Sequence, residues 1–357
     1  MKFIHCADLH IDSKIEKLSP EKSQQRREEV LRAFERLVDF AVENNVSAVL
    51  IAGDMFDVQK ITKRSASRII SAISGASSVD FLYLCGNHDQ LNQVFNYQTP
   101  SNFKMFSTEF TIFRYGNVVV GGVDVSNNLT NSLYDQIKFD KDDFNILCMH
   151  GQIADYKSKD NSEIISLPLL KDKNIDYLAL GHYHSHSIGQ IDQRGLYAYS
   201  GCLEGRGFDE LGDKGFILVD TEKENFINFI KFSTRSFNIE TFDLTEFSDY
   251  SEARSKILEQ VKNKYSSSDI VRVLLKGEIG TDFYIDQKEL ENRLAELFFY
   301  AEVEDKTELS IKQEDYLLDK TAKGEFLRLV WESDLTQEQK KKIINCGLNA
   351  LKGEELL

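Results

Sequence analysis

The chain has 357 residues, a hydrophobic content of 41% and a net charge of −15. That is room for two globular domains. The acidic excess argues against a broad basic face for nucleic acid, and no apolar run approaches the roughly 20 residues that cross a bilayer.

Residues 2–6 predict a first strand, with Asp8 and His10 just beyond it. A signal peptide is not expected, because cleaving this start would remove both residues. Ser19-Pro20-Glu21 predicts a helix start, with a capping serine and a proline in the first turn. Val30, Phe34, Leu37, Val38 and Ala41 continue it at helical spacing, and Asn44-Asn45 ends it. Val46 to Ala52 predicts a second strand that delivers Asp54. A second helix over about 63–73 keeps Ala66, Ile69, Ile70 and Ile73 on one face. Phe81 to Cys85 predicts a third strand ending in Gly86-Asn87-His88-Asp89. Strands alternating with helices predict βαβ units.

From Phe110 to Val125 the pattern alternates around Tyr115-Gly116-Asn117, which predicts an antiparallel hairpin. Asn145 to Met149 leads to His150, and Ile175 to Leu180 leads to His182 and His184. Lys157 to Glu163 is polar and reads as a mobile loop near the site. Gly195 breaks a further hairpin, and Gly215 to Asp220 is one more strand. Antiparallel strands this late predict two packed sheets rather than one open parallel sheet.

The pattern changes near residues 221–240, so we expect one domain over 1–235 and a second over 236–357. The second holds 17 basic and 26 acidic side chains, a balance of −9 that leaves −6 for the first. Its elements read as helix at about 248–264, strand at 270–276, helix at 286–298, a strand near Tyr300 to Val303, and helices at 321–332 and 336–352. This is a small α+β unit with a helical tail. The five cysteines show no paired spacing, and Cys6, Cys85 and Cys148 lie in or beside apolar runs. Reduced thiols and a cytoplasmic setting are the expectation.

Five apolar runs therefore end in metal-ligand residue types. All seven histidines lie between His5 and His186, and five of them belong to these strand ends. Any one alone is more often a core or surface histidine. Packing does not explain five in series. Nitrogen and carboxylate donors without thiolate suit manganese, and after it iron or zinc, better than calcium. Asp8, His10, Asp54, Asn87, His150, His182 and His184 are too many for one ion. They suit two ions about 3.5–4 Å apart that lower the pKa of a shared water and clamp an in-line phosphoryl displacement. His88 is not needed as a ligand and is the natural general acid for the leaving oxygen.

The motifs D-x-H, GD-x-x-D, GNHD, H and GH-x-H over residues 1–220 resemble the calcineurin-like metallophosphoesterase superfamily. Residues 3–10, 52–57 and Tyr199-Ser200-Gly201 are similar to DNA-repair exonucleases of the SbcD type. Residues 205–210 with Gly215-Phe216 are similar to a bacterial YhaO-like branch. The resemblance implies a four-layer α-β-β-α sandwich with a C-terminal α+β cap, and a nuclease subunit working on DNA with a coiled-coil ATPase; a homodimer is one assembly to expect. It implies that Asp8, His10, Asp54 and His184 hold one ion and Asp54, Asn87, His150 and His182 the other. Asp54 would bridge them, and His88 would be the catalytic histidine. Archaeal and eukaryotic relatives often carry histidine where this chain has Asp57; aspartate there fits the bacterial branch. The acidic balance keeps open a phosphodiesterase or phosphatase for nucleotides or phosphoproteins, and a weakly catalytic scaffold subunit is a further alternative.

Other residues have plainer readings. His5 is a packing or supporting residue, and His186 a solvent-exposed loop residue, with a substrate contact as the alternative. Asp57 and Asp89 orient ligands or His88. Arg206 either meets a phosphate or pairs with Asp209 or Glu210. Lys60, Lys63 and Arg64 read as a solvated helix start, with a nucleic-acid backbone as the alternative partner. Lys340 to Lys342 lie on a helix whose apolar face, Ile343, Ile344, Leu348 and Leu351, is expected to pack on its own domain, with partner docking as the alternative.

Overall fold

The computed structural model describes residues 1–15, 18–56, 61–86, 89, 99–124, 131–153, 164–280, 283–310, 316 and 318–351. The chain divides into two compact units, Met1–Phe237 and Asn238–Leu357.

The first unit runs β1 (Lys2–Cys6), α1 (Pro20–Glu43), β2 (Ala48–Ala52), α2 (Lys63–Gly75), β3 (Asp80–Leu84), β4 (Phe103–Met105), β5 (Thr111–Tyr115), β6 (Val118–Gly122), α3 (Asn131–Gln136), β7 (Phe144–His150), β8 (Gln152–Ile153), β9 (Ile164–Ile165), β10 (Tyr177–Gly181), β11 (Ser187–Gln190), β12 (Leu196–Tyr199), β13 (Gly215–Asp220) and β14 (Ile227–Lys231). One sheet has the order β14-β13-β1-β2-β3-β4, the other β11-β12-β10-β7-β6-β5. The inner strands β1, β2 and β3 are parallel, as are β6, β7, β10 and β12.

Side chains alternate across a strand, and that alternation builds three apolar layers. Ala48, Leu50 and Ala52 of β2 meet Ile146 and Cys148 of β7 and Tyr177 and Ala179 of β10 between the sheets. Val49 and Ile51 point the other way, onto Phe34, Leu37 and Ala41 of α1 and Ile69 and Ile73 of α2. Leu147, Met149, Leu178 and Leu180 leave the second sheet's far face for Leu133, Tyr134 and Ile137 around α3. The layers are helix, sheet, sheet, helix.

The caps are local. Ser19 accepts from the Lys22 amide with Pro20 in the first turn, and Thr62 accepts from the Ser65 amide. The hairpin at Tyr115-Gly116-Asn117 forms between β5 and β6, with Gly116 at φ 58°. Residues 227–231, which carry no clear strand signal, add an edge strand to the first sheet because β13 offers them an unpaired side.

The second unit has β15 (Phe237–Asp243), α4 (Tyr250–Lys264), β16 (Ile270–Lys276), β17 (Glu278–Ile279), α5 (Gln287–Leu297), β18 (Tyr300–Asp305), β19 (Glu308–Leu309), α6 (Ala322–Glu332) and α7 (Gln337–Leu351). A sheet β15-β16-β18 packs Val271, Val273 and Leu275 against Ala253, Ile257 and Val261 of α4 and Leu290 and Leu294 of α5. Leu327 and Val330 of α6 bury Ile344 and Leu348 of α7. Among the described residues no helix is long and apolar enough to cross a membrane.

Candidate metal centre

Parallel strands place their carboxyl ends on one edge. β1 runs beside β2, with Cys6 opposite Ile51, and β10 runs beside β7, with Gly181 opposite His150. The chain leaves these ends in a left-handed backbone: φ is 51° at Asp8, 45° at His10, 50° at Asp54 and 106° at His182. Four non-glycine residues there are costly unless neighbours hold them. They are held. The amides of Asp8 and His10 donate to the carbonyls of Gly53 and Asp54 at 3.1 and 3.0 Å. The His182 amide donates to both carboxylate oxygens of Asp8, at 3.0 and 3.1 Å.

Among the described residues two groups of ligand atoms result, each within 4.8 Å: Asp8, His10 and His184, and Asp8, Asp54 and His150. Asp8 belongs to both; the resemblance instead implies Asp54 as the bridge. Asp8 and Asp54 are 0% and 2% exposed. His10 Nε2 and His184 Nε2 face each other at 3.2 Å, and His150 Nε2 lies 3.4 Å from Asp54. The His182 ring meets His150 edge-on at 5.5 Å.

The outer nitrogens fix the rings. A carbonyl can only accept, so His150 Nδ1 carries its proton and donates to Ala52 O at 2.8 Å, turning Nε2 inward. This needs room: a Cβ on Gly53, itself at φ +92°, would stand 2.1 Å from His150 Nδ1. His184 Nδ1 donates to Glu210 at 2.7 Å, and Arg206 pairs with that carboxylate at 2.8 Å. Of the two readings of Arg206, the ion pair with Glu210 is the one the structure forms. Glu210 itself carried no signal in the sequence that it would face His184. Asp89 ties two loops together by accepting from the amides of Gly86, Met55 and Phe56.

Charge follows geometry. Burial pushes the Asp8 carboxyl up to about 6, and Asp54 adds to the rise. Asp89 is also pushed up to about 6, by burial first. Burial disfavours a charged His150, but the hydrogen bond and charge of Asp54 outweigh it and lift the imidazole to about 9. His184 is raised the same way, burial being overcome by Glu210 and Asp8. Burial would raise Glu210, yet His184 and Arg206 hold it well below the usual carboxylate range. Buried carboxylates, each costly to keep charged without a partner, beside imidazoles are a donor set that a dication would stabilise.

Asn87, His88, Asp57 and Lys60, and the loop at 157–163, lie outside the described residues. His5 is buried, with Nδ1 2.7 Å from Tyr177 Oη and Nε2 3.1 Å from Leu180 O, a packing role between the sheets. His186 stacks on Phe229 at 4.4 Å. Lys63 is exposed, and Arg64 pairs with Glu28 at 3.5 Å.

Aspartates and histidines converging at the strand ends of a four-layer sandwich define a metal-dependent hydrolase. Residues 1–186 match the calcineurin-like phosphoesterase family, and the chain belongs to it. It is a metal-dependent phosphoesterase that binds divalent metal. The chain is 27% identical over 238 residues to the metallophosphoesterase YhaO of Bacillus subtilis, covering 61% of this chain and 57% of that relative. It is 25% identical over 297 residues to the DNA double-strand break repair protein Mre11 of Sulfolobus acidocaldarius, covering 78% of this chain and 76% of that one. The crystal structure of a dimetal phosphatase from Danio rerio aligns with a TM-score of 0.40 at 10% identity, over 61% of this chain and 91% of that one.

Proposed function

We propose that this chain is a two-metal phosphodiesterase acting on DNA, the nuclease subunit of a bacterial repair complex. The observation that supports the two-metal reading is a buried pair of carboxylates, Asp8 and Asp54, with His10 and His184 gathered at one side and His150 at the other. As the resemblance implies, Asp8, His10, Asp54 and His184 would hold one ion, and Asp54, Asn87, His150 and His182 the other. Mixed nitrogen and oxygen donors favour manganese, with iron or zinc next. When bound, the ions supply Lewis acidity to a phosphate and acidify water. The chain's own contribution is orientation: Ala52 O and Glu210 aim the rings of His150 and His184, and Asp89 fixes the loop that precedes His88. His88 protonates the leaving oxygen.

DNA as substrate rests on the likeness to proteins named for double-strand break repair. A net charge of −15 leaves little room for a self-sufficient DNA surface. Local patches, a second copy of the chain or a coiled-coil ATPase partner supply the grip, in the cytoplasm, and residues 236–357 are an accessory domain for that task. The test is hydrolysis of linear duplex and single-stranded DNA with manganese, with and without chelator. Manganese-dependent cleavage is expected. The same acidic charge favours a second reading, a phosphatase for nucleotides or phosphoproteins. Turnover of nucleotide or phosphopeptide monoesters with DNA left intact would establish that reading instead. No turnover of any of these would leave the scaffold role.

A further inference from the structure

The loop between β12 and β13 closes over His184 from three sides. Glu210 is 3% exposed and its Oε1 lies 2.7 Å from His184 Nδ1. Lys214, 2% exposed, donates from Nζ to the His184 carbonyl at 2.7 Å. Arg206 lies behind the carboxylate. Its Nε and Nη2 donate to Oε1 at 3.1 and 2.8 Å, and its amide donates to Oε2 at 2.7 Å. Arg206 Nη2 is also 3.2 Å from His184 Nδ1, so the Glu210 oxygen sits between two donors.

The loop is itself anchored. Arg26 is fully buried and donates to Gly205 O at 2.8 Å and to Glu204 at 3.0 Å. Glu204 also accepts from the Thr234 amide at 2.7 Å. A carboxylate held this firmly can only accept from the imidazole, which leaves the proton on Nδ1 and the lone pair on Nε2, the nitrogen turned toward His10.

We propose that Glu210 is a positioning residue that selects the Nδ1–H tautomer of His184 and aims its Nε2 at the metal, with Arg206 and Lys214 holding carboxylate and backbone in place. This rests on the reading of His184 as a ligand. A bare surface ion pair would fix neither ring nor tautomer. Here Arg206, Glu210 and Lys214 all come from one loop and act together on His184.

The test uses the full chain. In metal-free protein labelled with 15N-histidine, at a pH high enough that the ring is neutral, His184 is expected as the Nδ1–H form, assigned by its loss in His184→Gln. In Glu210→Ala the Nε2–H form should gain. Calorimetric titration with manganese alone should then show one of two ions weakened by roughly 10- to 100-fold, the other unchanged. Glu210→Gln keeps an acceptor of the same reach and should restore the tautomer and most of the affinity. Arg206→Met removes only the brace and should cost less than Glu210→Ala. A folded Glu210→Ala chain with an unchanged tautomer and two ions bound as in the wild type would overturn the proposal. If that variant does not fold, Glu210→Asp, with its carboxylate one methylene further back, decides by the same two readouts. A wild-type chain that binds fewer than two ions would instead overturn the two-metal reading beneath it.

Discussion

Both units end strands in aspartate, with opposite results. In the second unit Asp305 closes β18 and Asp243 closes β15, and each carboxylate turns back onto its own chain, to the Thr307 amide at 2.8 Å and the Thr245 amide at 2.9 Å. Both are exposed turn residues. In the first unit Asp8 and Asp54 occupy the same kind of position but are buried at positive φ, with imidazoles rather than their own backbone in front of them. A carboxylate at a strand end is not a site. It becomes one where parallel strands of two sheets finish together and imidazoles gather in front of the buried carboxylate.

The largest effect should separate the two kinds of aspartate. Asp54→Ala should lose metal and reduce phosphodiester turnover to background, as chelation should, whereas Asp305→Ala should stay within about 0.5 kcal/mol of wild-type stability and keep full activity. Metal analysis and kinetics on the two variants check this; equal losses would erase the distinction. Next comes His88→Ala, expected to keep both ions and lose roughly 10²–10⁴-fold in turnover, less on a substrate with a good leaving group. Loss of an ion in that variant would make His88 a structural residue.

A smaller effect is set by pH. His150 is raised to about 9 from an ordinary 6.5, so its contribution to the metal-free fold is complete below about pH 6.5 and disappears as pH climbs through 9. Metal binding runs the other way, because that proton must leave. Thermal unfolding in chelator should fall from pH 6.5 to 9 while manganese affinity rises. Two flat profiles would show that His150 does not carry the proton. The smallest effect is expected from the second unit. A chain ending at residue 237 should hydrolyse a small phosphodiester as the whole chain does, and should process DNA less well. Equal loss of both in a folded fragment would give the second unit a share in the site.

What could be read from the sequence follows from where the signal lies. Val49 and Ile51 on one face of β2 and Leu50 and Ala52 on the other give an unbroken apolar run, and such a run announces a strand buried on both sides. Asp54 and His150 could be singled out because each follows such a run directly. Glu210 could not: it lies 26 residues after His184 in a loop of ordinary polarity, and tertiary contacts such as Arg26 on Gly205 O hold that loop in place. The left-handed backbone at Asp8, His10 and Asp54 also leaves no mark, since sequence signals that conformation through glycine and these are not glycines. The edge strand β14 was hidden because its residues are half-exposed and its place is set by β13.

The most direct test of the central claim is the rate of phosphodiester hydrolysis measured against manganese bound per chain. The account predicts little turnover with one ion and a steep rise as the second binds. Full activity at one ion per chain, or none at two, would contradict it.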